Sequence, residues 1–137
     1  MAFVLDASIA LAWCFPDEST SAPYEVLDAL RTTSALVPAI WPFEIANALL
    51  VAERRERLHP ADSVRFVELL RALPITIQVR SFDLGVTSLL DLARAHGLSA
   101  YDAAYLELAA REGLPLASLD ERLRAAAAAA GVPRFPA

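Results

Sequence analysis

Four acidic residues far apart in the chain, Asp6, Glu44, Asp102 and Asp120, each stand where a short apolar run or a turn gives way to a stretch with helical spacing. Each alone has an ordinary explanation, because free backbone amides and the helix dipole stabilise a carboxylate at a helix start by about 0.3 to 1 kcal/mol. Together they have a second one. In an open parallel sheet, strand C-termini and the N-termini of the following helices meet along one edge, which is where such folds bind ligands. Carboxylates gathered there repel one another and raise their own pKa values unless cations compensate. Oxygen-only donors of this kind suit Mg²⁺ or Mn²⁺. The chain holds 17 acidic against 12 basic residues, a net charge of −5, so four acids supply most of the excess and two divalent cations would offset them.

The remaining residue types exclude competing chemistries. All 12 basic residues are arginine, so a Walker A loop, a Schiff-base lysine and the strand lysine of a kinase are absent. The same absence argues against a phosphorylated receiver domain, and Ser8 stands where an Asp-x-Asp phosphotransferase would need its second acid. Cys14 is the only cysteine and His59 and His96 the only histidines, too few for a thiolate or imidazole zinc cage, and no internal disulfide can form. The longest uncharged run, residues 32–43, is broken by Pro38 and falls short of the roughly 20 residues of a membrane span. No arginine precedes Asp6 to make a basic leader, so a cytoplasmic protein is expected. A mean hydropathy of +0.41 is high for a domain of 137 residues and implies apolar surface covered by a partner.

Positioning four dispersed acids requires strands that alternate with helices. Short apolar runs at 1–5, 35–37, 75–79 and 114–118 read as strands buried on both faces of a sheet, and 132–135 as a short last strand. Helical spacing covers 23–31 after Ser21, 43–56 behind Pro42, 61–73 behind Pro60, 83–95 before Gly97, 100–112 before Gly113, and 121–130 before Gly131. Ser99 and Asp102 form a capping-box pattern, with Asp for the usual Glu or Gln. The six alanines 125–130 belong to the last helix, since alanine is the strongest helix former. No linker or repeat interrupts the pattern. The expectation is one α/β domain over residues 1–137, with a mainly parallel sheet of four to five strands flanked by helices.

Four segments, Val4-Leu5-Asp6-Ala7-Ser8, Glu44-Ile45-Ala46-Asn47-Ala48-Leu49, Leu98-Ser99-Ala100-Tyr101-Asp102-Ala103-Ala104-Tyr105 and Leu116-Ala117-Ser118-Leu119-Asp120-Glu121-Arg122-Leu123, resemble the signature blocks of PIN-domain ribonucleases, in particular VapC-type toxins. The resemblance covers essentially the whole chain. It implies an endoribonuclease in which Asp6, Glu44, Asp102 and Asp120 form an acidic site for Mg²⁺ or Mn²⁺, supported by Ser8, Asn47 and Ser118. Ser118 stands where many relatives carry threonine. It further implies an RNA substrate, a small VapB-type antitoxin whose C-terminal segment covers the active site and a nearby apolar groove, and a homodimer. The alternatives are a PIN-like binding module without activity and an RNA-processing nuclease without an antitoxin. The number of metal ions and the RNA target stay open.

An acidic protein must contact RNA locally, because arginine–phosphate contacts carry that affinity. Arg54, Arg55 and Arg57 form one cluster that reads first as a solvated helix face or as ion pairs with Glu53 and Glu56; Arg122, close to Asp120, is the better candidate for a phosphate contact. Trp13 and Trp41 read as core or interface aromatics, Tyr101 as a pocket-lining or a packing residue, and Cys14 as a small buried hydrophobe.

Overall fold

Phe3, Val4 and Leu5 are all fully buried, which requires helices over both faces of the strand they form, β1 (Phe3–Leu5). The computed structural model describes residues 2–15, 21–80 and 82–137. Met1, part of the apolar run, lies outside the described residues. After β1 come α1 (Ala7–Cys14), α2 (Ala22–Ala29), β2 (Ala35–Pro38), α3 (Trp41–Arg54), α4 (Pro60–Arg71), β3 (Ile75–Gln78), α5 (Phe82–His96), α6 (Ala100–Glu112), β4 (Leu116–Ala117) and α7 (Glu121–Ala129). The alternation expected from the sequence is therefore present.

The sheet has the order β3-β2-β1-β4 and every pairing is parallel, with Val4 opposite both Leu36 and Leu116. From β1 the chain steps outward to β2 and β3, then returns to place β4 on the other side of β1. That reversal opens a crevice beyond the C-terminal ends of β1 and β4, the topological switch point where such sheets bind ligands. α6 packs across β1 and β2 with α5 and α7 against it, while α1 packs against α2 and α3. Fully buried Phe3, Leu5, Ile9, Tyr105, Leu106 and Leu123 form the centre of the core.

Three features differ from the sequence expectations. Residues 7–14 form a helix that periodicity does not announce: Ala7, Ile9, Ala10 and Ala12 are buried and no charged residue marks an outer face. β4 spans only Leu116–Ala117, since Ser118 turns its side chain into a hydrogen-bond cluster at the strand end. Residues 132–135 add no fifth strand. Pro133 and Pro136 lack N–H groups for a ladder, so the segment makes one isolated bridge, Arg134 with Leu116, and stacks Phe135 on Phe3 at 4.1 Å.

Candidate active site at the switch point

Asp6 occupies the N-cap position of α1 with extended backbone angles, yet its carboxylate caps no helix amide. Its Oδ2 instead accepts hydrogen bonds from the hydroxyls of Ser8 and Ser118, each at 2.7 Å. The two serines in turn accept the backbone N–H groups of Leu119 and Asp120, each at 3.0 Å. Two hydroxyls thus tie the loop after β4 to the end of β1 through one buried carboxylate. Burial is the largest influence on Asp6 and raises its pKa; the serine hydroxyls oppose the shift, and the charge of Asp102 adds to it.

Glu44 lies in the first turn of α3, set by Pro42, and the Tyr105 hydroxyl donates to its Oε1. Tyr105 is three residues beyond Asp102, so one face of α6 presents an acid to the crevice and a tyrosine that orients a second acid. Burial raises the pKa of Glu44 against the Tyr105 hydrogen bond, and the charges of Asp6 and Asp102 raise it further. Asp102 opens α6, where its amide donates to Ser99 Oγ at 3.1 Å, the cap foreseen from the sequence. Burial raises its pKa, followed by the charge of Asp120, against a Ser99 hydrogen bond and the charge of Arg122. Asp120 caps α7: its Oδ1 accepts the amides of Arg122 at 2.9 Å and Leu123 at 3.2 Å. Capping therefore accounts for Asp120, whereas at Asp6 the serine hydroxyls outweigh the Ala7 amide at the helix start.

The structure brings the four acids to one edge, electrostatically coupled through Asp102. Among the described residues none of the four has an ion-pair partner. Among the described residues no group of three or more His, Cys, Asp or Glu side chains is arranged to hold a metal ion by itself. Carboxylates that raise one another's pKa, opposed by the charge of Arg122 at Asp102 alone, fit a hard dication bound partly through water, because Mg²⁺ keeps several waters and takes only one or two carboxylates. Asn47 is exposed one turn beyond Glu44.

Arg122 donates to the Gly97 carbonyl at 2.8 Å, linking the end of α5 to the start of α7 beside Asp102. Arg54 lies ten residues beyond Glu44, about 15 Å along α3, which takes its cluster away from the acids. Arg57 in that cluster stands over the Phe15 ring at 5.2 Å. Trp41 is buried as expected, and Trp13 joins α1 to α2 by donating to the Pro23 carbonyl at 2.7 Å. Cys14 is half-buried rather than buried. Tyr101 is exposed and lines an apolar groove of about 260 Å³ with Ile40, Leu89, Ala104 and Leu108, at whose end sit Arg80, Glu107 and Arg111. Sequence reasoning missed that trio and the role of Tyr105. For Tyr105 the three-residue spacing from Asp102 was a usable signal; for the trio, Arg80 and Glu107 lie 27 residues apart with nothing to join them.

Comparison with known proteins agrees with this architecture. A family model described as PIN domain matches residues 3–129. Ribonuclease VapC3 of Pyrobaculum aerophilum is 30% identical over 123 residues, which are 90% of this chain and 92% of that protein. Among solved structures, one from Pyrobaculum aerophilum superposes with a TM-score of 0.68 at 23% identity, covering 92% of this chain and 87% of that one. A toxin–antitoxin complex from Klebsiella pneumoniae gives 0.61 at 18% identity, covering 86% of each chain. These two likenesses concern the fold, whereas the family match spans all four acids and both serines. By that match and by its identity to a ribonuclease along nearly its full length, the chain belongs to the PIN-domain family.

Proposed function

We propose that the protein is an endoribonuclease dependent on Mg²⁺ or Mn²⁺ and the toxin of a toxin–antitoxin pair. The observation that carries the metal site is the set of mutually repelling acids Asp6, which is buried, and Glu44 and Asp102, which are half-buried, none of which has an ion pair among the described residues. The ribonuclease relative supports the substrate class. A bound dication supplies a more acidic water and a counter-charge for the leaving oxygen. The chain's own groups hold the geometry: Ser8 and Ser118 fix Asp6, Tyr105 fixes Glu44, and Ser99 fixes the backbone of Asp102. Asp120 and Asn47 complete the site, Asp120 with its Oδ1 engaged in capping α7.

Partner binding is supported by apolar surface. Phe43 is 71% exposed and Val79 76%, and Leu50, Val64 and Ile77 are exposed with them on α3, α4 and the β3 edge. This is the covered surface that the high mean hydropathy implies, and it suits a second copy of the chain. The groove beside Tyr101 suits an antitoxin segment, as does the relation to the Klebsiella pneumoniae complex. Among the described residues no helix is long and apolar enough to cross a membrane.

The test is cleavage of a mixed cellular RNA pool by purified, antitoxin-free protein with Mn²⁺ or Mg²⁺, beside a chelator control and Asp102→Asn. Discrete cleavage that needs the metal is expected. The variant should lose more than about a hundredfold in rate, beyond the cost of losing a partner outside the ligand shell, while staying folded. A folded wild-type protein that cuts no RNA and binds no Mn²⁺ by calorimetry would reduce the acids to helix caps.

A further inference from the structure

A second cleft, of about 360 Å³, runs beside α7 along the outer edge of β4 and takes no part in the acid site. It is lined by Leu116, Glu121, Arg124, Ala128, Val132 and Arg134. The Arg124 side chain is only 25% exposed, and its Nε is buried without a hydrogen-bond partner among the described residues. Its anionic neighbour there is Glu121, 3.4 Å from Nη1, whose own side chain is 88% exposed. Arg134 is exposed and forms no ion pair among the described residues. Its backbone is nevertheless fixed: Leu116 donates to the Pro133 carbonyl at 2.9 Å, Phe135 donates to the Leu116 carbonyl at 3.0 Å, and Phe135 stacks on Phe3.

Two guanidinium groups on fixed backbone, with one solvated acid between them, give this cleft a local positive charge in a protein whose net charge is −5. Guanidinium matches the paired oxygens of a phosphodiester. The cleft shares helix α7 with the acid Asp120. Glu121 follows Asp120, and Arg124 lies one helical turn on, about 6 Å along α7. Arg122, the nearer arginine in sequence, is already committed to the Gly97 carbonyl.

We infer that the Arg124–Arg134 cleft holds a backbone phosphate of the RNA strand flanking the bond presented to the acids. This rests on the ribonuclease reading of the acid site. The cleft sets register and affinity, without touching the reacting atoms.

The test reads binding on uncleaved RNA, so it is separate from whether the wild-type protein cuts. A 12-nucleotide fluorescent single-stranded RNA is titrated with Asp102→Asn protein over a range of salt. The measurement is repeated in the same background with Arg124→Ala/Arg134→Ala and, as a control remote from the acids, Arg54→Ala/Arg55→Ala. The cleft variant should bind about tenfold more weakly, and the slope of log affinity against log salt should fall by about 0.7 for each phosphate that is no longer neutralised. The control should match its parent. Arg124→Lys/Arg134→Lys should restore the slope but only part of the affinity, because lysine lacks the planar fork. Melting temperatures verify folding; if Arg124→Ala unfolds, the exposed Arg134→Ala alone should still weaken binding about threefold. Unchanged affinity and slope in the cleft variant, or equal losses in cleft and control, would overturn the inference. So would a labelled poly-glutamate peptide that binds the parent and loses binding in the cleft variant while RNA does not, which would assign the cleft to an acidic protein segment.

Discussion

Two acids of helix α6, Asp102 and Glu107, stand in opposite circumstances. Glu107, 7% exposed, receives hydrogen bonds from Arg80 and, at 3.0 Å, from Arg111 Nε, so two guanidinium groups enclose one carboxylate. Asp102, one and a half turns earlier, meets Glu44, Asp6 and Asp120. Asp6, at 6% exposure, is buried as deeply as Glu107, yet the side chains that bond it among the described residues are serine hydroxyls. Arginine is plentiful in this chain and the fold does place it against a buried acid where the acid is structural. Among the described residues the lack of an arginine ion pair at the switch point is therefore a local property, and it is what the proposed dication would answer.

The contrast is sharpest in stability. Glu107→Gln strips the counter-charge from two partly buried arginines and should cost roughly 3 kcal/mol, near the low end for a broken buried pair because Arg80 and Arg111 keep some solvent contact. A fall in melting temperature of about 10 °C is expected for a chain of this size, by calorimetry. A shift below a degree or two would mean that the trio is ornamental.

Adding Mn²⁺ should act in the other direction at the other region. At a hundredfold excess over its Kd a ligand of the folded state stabilises it by about 2.7 kcal/mol, read as a rise of about 8 °C. Asp6→Asn/Glu44→Gln should abolish that rise, and persistence of the full shift would move the metal elsewhere.

A third comparison uses pH. Because Asp6, Glu44 and Asp102 have folded-state pKa values above their ordinary 3.8, 4.5 and 3.8, the folded metal-free protein holds more protons than the unfolded chain. These groups therefore add stability as pH falls through the raised values, with the gain complete below the ordinary ones, and withdraw it as pH rises. Denaturant midpoints between pH 7 and 5 should climb more in wild-type protein than in Asp102→Asn; parallel profiles would deny the mutual repulsion.

The smallest effect separates charge from capping at Asp120. Asp120→Ala should lose about 1 kcal/mol with its two amide bonds, whereas Asp120→Asn keeps a capping oxygen and should lose only a few tenths. Equal losses would show that the charge, not the cap, stabilises α7.

Much of this was legible in the sequence because it depends on local rules. Ser99 capping Asp102 and the left-handed Gly97 and Gly113, with φ of 63 and 66 degrees, are short-range signals that the chain displays openly. The four acids were legible through their shared position at helix starts. α1 was not, since a helix buried almost all round has no polar face to give periodicity. The network of Ser8, Ser118 and Asp6 joins residues 112 positions apart, and Arg80 and Glu107 meet across separate elements. Such contacts arise from tertiary packing, which residue spacing does not encode.

The strand order has a temporal consequence. Pairing β4 with β1 sets Leu116 beside Val4, so that join closes almost the whole chain into a loop, and long-range pairings of this kind form late. Ser118 reaches Asp6, and brings Asp120 with it, only when that last strand docks. During synthesis the first hundred or so residues can emerge and fold their helices while the acid cluster is still incomplete. On the proposed reading of the acids, a chain still lacking its final segment lacks a complete site.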